Sequence, residues 1–410
     1  MPKKERIVGV DLGTTKIAVI IAEVDNDELK IVGVGSTPSF GLKRGVIVNL
    51  EKAVDSIRKA VDEASRMAGF KVDACYAGIS GSHVQGINAH SMIATSRTGG
   101  VISKRDIERV IEQAQAIALP LDREIIHAIP MEYIVDNERG IKDPVGMSGV
   151  KLEAEVHIVT AAITSAQNLF TALERAGLKV KDLVLQPLAS SYSVLQPDEL
   201  DLGVCLLDIG GGTTDLAIFY DGAIRHSEVI PLGGEYVTND IAIGIRTPHR
   251  QAESIKKKYA TLTLTPEEKQ EEIKVPGIGG RPDRFIEKEK LYAIVQPRIH
   301  EILMITGEAI KKSGFYDVLG AGVVITGGVA RLKGIDVLAE EVFSLPVKIG
   351  IPKEIGGLTD IILDPIYATG VGLILYGFEK KNQTIIRRTK GVGVLDALKK
   401  RFEEWYAKYF

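Results

Sequence analysis

Two stretches of the chain carry residue types that handle phosphate. "VGVDLGTTKIAVIIAEV" at 8–24 and "VCLLDIGGGTTDLAIFYDG" at 204–222 share one plan. An apolar run ends in an aspartate, a glycine turn carrying two threonines follows, and a second apolar run leaves it. Such a turn aims backbone N–H groups and hydroxyls at one point, which suits phosphate oxygens. Its glycines let the backbone approach a ligand closely. Asp11 and Asp208 stand just before the turns, where a carboxylate can sit beside phosphate only through a cation. Mg²⁺ that keeps several of its waters fits that role. One such turn is weak evidence, but two in the same context, 197 residues apart, predict a duplicated phosphate clamp. The chain holds no G-x-x-x-x-G-K-[ST] loop and no G-x-G-x-x-G opening a helix.

The elements that must position these turns also come in two sets. Each turn joins two predicted strands, and each pair continues as a hairpin. "VDNDEL" turns the chain after the first, and Asp221-Gly222 is a two-residue hairpin signal after the second. Helical patterns follow at 49–69 and 234–245, and "GVVITGGVARLKGIDVLAEEV" (322–342) adds a strand–glycine–helix unit. Strands mixed with crossover helices in two similar halves predict an α/β fold with a duplicated core. Between the halves, 83–163 reads as an insertion with a helix, two strands and a Pro/Gly-rich loop. A second insertion, 246–310, is more polar and helical, with Thr265 and Pro266 placed to start a helix. The expected organisation is a first lobe of 1–82 and 164–194 interrupted by 83–163, and a second lobe of 195–245 and 311–378 interrupted by 246–310. A basic linker at 379–393 and a terminal helix at 394–410 complete it.

At 410 residues the chain exceeds what one core supports, which agrees with two lobes. Cys75 and Cys205 lie inside apolar runs and read as buried thiols. His83, His127 and His157 each stand alone near apolar residues and read as structural. "MPKKERIVGVDLGTTK" lacks the apolar stretch of a secretory signal, and no run of 18 uncharged apolar residues predicts a membrane span. The expected location is therefore cytoplasmic. Net charge is −3, yet residues 380–410 hold nine Lys/Arg against three Asp/Glu. That asymmetry predicts an anionic surface facing the tail.

Paired hairpin turns in two equivalent lobes resemble the actin, sugar-kinase and heat-shock chaperone ATPase superfamily, with its ribonuclease H-like fold. "VVITGGVARLKGI" resembles its adenosine motif. "LQPLASSYSVL" and "DPIYATGVGLILY" resemble the two helices on which its lobes hinge. Within that superfamily the match is to the FtsA family of bacterial actin-like cell-division proteins. "SKRDIERVIEQAQAIALPLDREIIHAIPMEYIVDNERGIKDPVGMSGVKLEAEVHIVT" resembles its inserted subdomain.

The resemblance implies a set of roles. Gly13, Thr14, Thr15 and Lys16 would contact phosphates from one lobe, and Gly210, Gly211, Gly212 and Thr213 from the other. Asp11 and Asp208 would hold Mg²⁺ through water. Glu253 and Lys256 would line the ribose and adenine of ATP, with Gly233, Gly234, Gly327 and Gly328 close to the nucleotide. Gln186 would orient an attacking water, since an amide positions and is no general base. Slow or absent ATP turnover is implied. So are filaments of the chain itself, docking of the FtsZ C-terminal peptide on 246–310, and contacts of 83–163 with other division proteins.

The tail "GVLDALKKRFEEWYAKYF" has its own chemistry. On a helical wheel at about 100° per residue, Leu395, Leu398, Phe402, Trp405 and Tyr409 share an arc of roughly 120° with Val394 and Tyr406. Arg401 and Lys408 flank one edge and Lys399 the other. That layout suits a helix lying in the plane of an anionic membrane surface, at the cytoplasmic face and, by the resemblance, at the division site. A terminal helix docked on its own domain has a similar pattern. Two other functions fit parts of the chain. A pilus-assembly actin-like protein shares the insertion but binds a membrane-protein peptide. A small-molecule kinase shares the fold but needs an acidic general base for which no motif is evident.

Overall fold

The computed structural model describes residues 5–25, 28–95, 100–277 and 282–388. The tail positions Leu395, Leu398, Phe402, Trp405 and Tyr409 lie outside the described residues.

Two sheets with the same connectivity form the core. In the first, Lys179–Leu185, Ala74–Ile79, Glu5–Leu12, Lys16–Asp25 and Glu28–Pro38 lie side by side, and the short Gly356–Gly357 closes the far edge. In the second the order is Ala223–Ile230, Thr214–Tyr220, Val204–Ile209, Val323–Thr326 and Val347–Ile349. Each begins as an antiparallel three-strand meander whose first strand pairs with a parallel strand, and that strand with a second parallel one. Parallel neighbours require crossover helices, which bury both faces of the sheet. Glu5–Leu12 and Val204–Ile209 are accordingly almost wholly buried. The duplicated α/β core predicted from the paired turns is present.

Local signals place the elements. Helix Leu50–Ala68 starts where Asn49 accepts a hydrogen bond from the Lys52 N–H and stops at Gly69, which is left-handed (φ +80°). Asp221 and Gly222 both have positive φ and join Tyr220 to Ala223 in a two-residue hairpin. The Thr265 capping box forms, but its helix, Pro266–Lys269, is a single turn. Glu272–Val275 then pairs with Arg284–Glu287, so 246–310 holds a small hairpin beside its helices.

Between Ala74–Ile79 and Lys179–Leu185 of the first sheet, the strands Gln85–Ala94, Lys151–Ala162, Arg123–Val135 and Glu138–Ile141 form a separate four-stranded antiparallel sheet. Helix Lys104–Gln115 packs on it through Val110 and Ala114, over Leu152, Ala154 and Val156. This inserted sheet also touches the second core. The Asn88 side-chain amide donates to the Arg225 carbonyl at 2.9 Å, and His157 Nε2 meets Ser227 Oγ at 2.8 Å.

Two helices join the lobes. Gln186–Val194 follows the last strand of the first sheet, and Ala368–Arg388 crosses it. At the crossing the backbones nearly touch, because a Cβ on Gly372 would lie 1.8 Å from the Ala189 carbonyl oxygen. Composition assigns 379–393 to a basic linker, but the second helix runs through Arg388 and occupies the first ten of those residues. "EKKNQTIIRR" contains neither Gly nor Pro to stop it. Residues 389–393 lie outside the described residues.

Candidate functional site

The two aspartate turns are superposable in register. Leu12 pairs with Ile17 and Ile209 with Thr214, leaving four loop residues in each hairpin. In each loop the first glycine N–H donates to the carbonyl three residues on: Gly13 to Lys16 at 3.0 Å, and Gly210 to Thr213 at 2.9 Å. The loops face each other across the lobes. A Cβ on Gly211 would fall 2.4 Å from the Thr15 side chain, and one on Gly212 2.4 Å from Thr14 Oγ1. Side chains at these two glycines would close the gap between the turns.

Around the turns is a cleft of about 480 Å³, within the usual size of a small-molecule site. Every predicted phosphate-contact residue from Gly13 to Lys16 and from Gly210 to Thr213 lines it, as do Asp11, Asp208, Gln186, Gly234, Glu253, Lys256, Gly327 and Gly328. Gly233 stands behind the wall. There the next two N–H groups, of Gly234 and Glu235, donate to the carbonyls of Gly210 and Gly211 at 2.9 and 2.8 Å. Gly327 needs its glycine: φ is +86°, and a Cβ would meet Asp208 Oδ1 at 2.4 Å. A larger groove of about 790 Å³ follows helix Leu50–Ala68 and shares only Thr37 with the cleft. Its walls are the surface charges Lys59, Asp62, Glu63 and Arg66, with neither aspartate turn among them.

Three buried carboxylates converge on the turns. Burial raises Asp11 to about 6, with Lys16 opposing and Asp208 adding to the shift. Lys16 Nζ lies 4.0 Å from Asp11 and donates to the Ile366 carbonyl. Burial also raises Asp208, against hydrogen bonds from Ser190 Oγ (2.9 Å) and Thr369 Oγ1 (3.0 Å). Asp215, which the sequence reading passed over, is raised to about 7, chiefly by burial. It accepts from Ser80 Oγ and, at 2.9 Å, from Thr213 Oγ1. Its position is equivalent to Ala18 of the first hairpin, so matching the two copies hides it. The available signal was a charged residue opening an otherwise apolar strand, "DLAIF".

Burial disfavours the charged form of all three carboxylates, and a cation in the site would favour it. Their hard oxygen donors suit Mg²⁺. Among the described residues no three His, Cys, Asp or Glu side chains converge tightly enough to ligate a metal alone. Water and ligand oxygens would have to complete the shell. Gln186 donates from Nε2 to Asp11 Oδ1 at 3.3 Å, so its amide sits beside the first carboxylate.

On the far wall, Lys256 Nζ bonds Glu253 Oε2 (2.7 Å), the Gly234 carbonyl (2.9 Å) and Thr238 Oγ1 (2.8 Å). Burial would raise Glu253, yet Lys256 and the Thr238 hydroxyl hold it below its ordinary value. Burial lowers Lys256 against the pull of Glu253. Lys257 Nζ also lies 3.3 Å from Glu253 Oε1, so two ammonium groups hold this carboxylate in place.

The chain's full length can be matched to relatives. A family profile described as "Cell division protein FtsA" matches residues 205–372, and one described as "SHS2 domain inserted in FTSA" matches 81–160. The Cell division protein FtsA of Pseudomonas aeruginosa is 46% identical over 386 residues, covering 94% of this chain and 92% of that protein. The chain belongs to the FtsA family of cell-division proteins. The FtsA of Escherichia coli is 39% identical over 419 residues, covering 99% of both. Among solved structures, the PilM-PilN type IV pilus biogenesis complex matches with TM-score 0.67 at 16% identity, covering 92% of this chain and 99% of that one. MreB5 of Spiroplasma citri bound to ADP matches with TM-score 0.57 at 18% identity, covering 95% and 100%. These likenesses establish the actin-like fold for this FtsA-family chain.

His127 and His157 are hydrogen-bonded as structural groups. His127 Nε2 accepts the Leu185 N–H at 3.0 Å, which requires a neutral ring. Burial lowers both His127 and His157 from 6.5 to about 4. Between those values the unfolded chain takes up a proton that the native ring refuses, so each histidine's contribution is lost as pH falls. The loss reaches about 3 kcal/mol per ring. Asp11 and Asp215 act in the opposite sense, so the comparison must be with a variant. His157→Gln should be less stable than wild type at pH 7, and chemical denaturation should find that deficit shrinking toward pH 4. A deficit independent of pH would contradict the neutral buried ring.

Proposed function

We propose that this chain binds ATP with Mg²⁺ between its lobes, assembles into filaments, and holds the FtsZ division ring to the inner face of the cell membrane. The observation that carries the nucleotide reading is the pair of hairpin turns with identical register, facing each other in a cleft with Asp11, Asp208 and Asp215 at its base. Phosphates would lie between the turns, and Glu253 and Lys256 would meet the ribose and base. Mg²⁺ would neutralise phosphate charge, held through water by Asp11 and Asp208. Gln186 would position a water, and with its amide engaged by Asp11 a slow turnover is expected.

Family membership supports the division role, and the sequence supports the membrane role. Residues 394–410 would lie in the surface of an anionic bilayer, with Leu395, Leu398, Phe402, Trp405 and Tyr409 inserted. Full burial of a large apolar side chain is worth about 1.5–3 kcal/mol, and an interfacial helix gains only part of that. Each basic residue at the surface adds about 1 kcal/mol. One tail is therefore a reversible anchor, and a filament multiplies it by avidity. The FtsZ C-terminal peptide would dock on 246–310, and 83–163 would serve other division proteins.

Co-sedimentation with vesicles containing phosphatidylglycerol, with and without ATP, tests the reading. The full chain should pellet, more so with ATP, and truncation after Gly391 or Trp405→Glu should leave it in the supernatant. Equal pelleting of the truncated chain would refute the anchor.

A further inference from the structure

Beside the paired turns, one loop of the first lobe reaches across to the second. Two-residue strands Leu42–Lys43 and Val46–Ile47 frame Arg44 and Gly45 at its tip. Arg44 has φ +50°, a left-handed conformation that costs a non-glycine residue energy and is kept only where surroundings enforce it. The Arg44 guanidinium donates to the Tyr236 hydroxyl and lies 5.6 Å from the centre of its ring. Tyr236 is itself held in place. The guanidinium of Arg298 lies 5.8 Å from the ring, and Asp240, one turn along the same helix, binds Arg298 at 2.5 and 3.3 Å.

The loop tip also touches the first phosphate turn and reaches the base of the second through Ser80. The Gly45 N–H donates to Thr14 Oγ1 at 3.1 Å. A Cβ on Gly45 would meet the Ser80 carbonyl at 2.6 Å, and Ser80 Oγ donates to Asp215 beneath the second turn. On the other side, Tyr236 lies two residues beyond Gly234, whose N–H donates to Gly210. Away from the two crossing helices, the lobes also meet at the turns and where the inserted sheet touches Ala223–Ile230. The Arg44–Tyr236 contact joins two side chains that do not line the cleft.

We propose that Arg44 and Tyr236 form an interlobe clasp that sets how long a nucleotide stays in the cleft. The two are positioning residues: they touch no ligand, but lobe opening about the crossing helices must part them. Closing the clasp presses Thr14 toward the second turn through Gly45, so the phosphates and the clasp hold the same closed state. The contact is exposed, and a charge-assisted hydrogen bond with a cation–π contact there has moderate strength. The proposal rests on the nucleotide reading given above.

A fluorescent ATP analogue, loaded with Mg²⁺ on the full chain and chased with excess ATP in a stopped-flow instrument, tests it. Arg44→Ala should speed release by about three- to tenfold, a 0.6–1.4 kcal/mol change in the closed state. Tyr236→Phe should speed it less, because the ring contact survives. Arg44→Lys should restore part of the difference, and the Arg44→Ala/Tyr236→Phe double variant should release no faster than Arg44→Ala. Thermal unfolding without nucleotide should be unchanged, which a purely structural role would not predict. If uptake is normal and neither single variant releases faster than wild type, the clasp is refuted alone. If the wild-type chain takes up no analogue, the nucleotide reading falls and the clasp with it.

Discussion

Gly372→Ala should destabilise the protein by about 3 kcal/mol or more, seen as a lower midpoint in chemical denaturation. Inside a helix this substitution ordinarily gains about 1 kcal/mol from propensity. Here the added Cβ would stand 1.8 Å from the Ala189 carbonyl oxygen and 2.4 Å from its carbon. Neither atom is the end of a flexible side chain, so the two helices must separate. Overpacking typically costs 1–3 kcal/mol, and backbone against backbone belongs at or above the top of that range. The damage should reach the cleft as well. Thr369, three residues earlier on the same helix, donates to Asp208, and Ser193 Oγ donates to the Ala368 carbonyl at 2.7 Å. A variant as stable as wild type would show that the helices do not cross this closely.

Asp208→Asn should lower ATP affinity in the presence of Mg²⁺ by about 10–100-fold, the usual cost of losing an outer-shell partner of a metal. Titration with a fluorescent ATP analogue, with Mg²⁺ and then with chelator, reads it. The gap between wild type and variant should close when the metal is removed. The ligand-free protein should lose little stability, because burial already raises Asp208 and an uncharged amide suffers less from desolvation there. The amide oxygen can still accept from Ser190 or Thr369. An equal loss of affinity with and without metal would mean that Asp208 shapes the turn and holds no cation.

The two predictions differ in how much of their basis the sequence displays. Asp208 stands out because its motif occurs twice, and repetition is a signal that survives without an alignment. The same comparison hid Asp215, since the first copy has Ala18 at that register. The serines that satisfy the buried carboxylates, Ser80 and Ser190, are invisible as partners. They are 135 and 18 residues from the aspartates they bond, and nothing in their local sequence says which acid they will meet. Thr369 in "YATG" is hidden for the same reason, 161 residues from Asp208. The basic run at 379–388 is helical rather than a linker because a helix already under way needs no new nucleus.

The sequence by itself determined the elements and the duplication. Alternating apolar runs, glycine turns and caps are local, and each acts through a few neighbouring residues. It also determined which residues could meet phosphate, because a turn that presents its own N–H groups carries its chemistry within four residues. Only the tertiary structure decided what faces what. It set Thr14 and Thr15 against Gly212 and Gly211, brought three carboxylates under one pair of turns, and laid Arg44 on Tyr236, 192 residues away. Those meetings follow from two sheets packed about one pair of crossing helices. Close packing between lobes is a property of shapes, which no single stretch of chain contains.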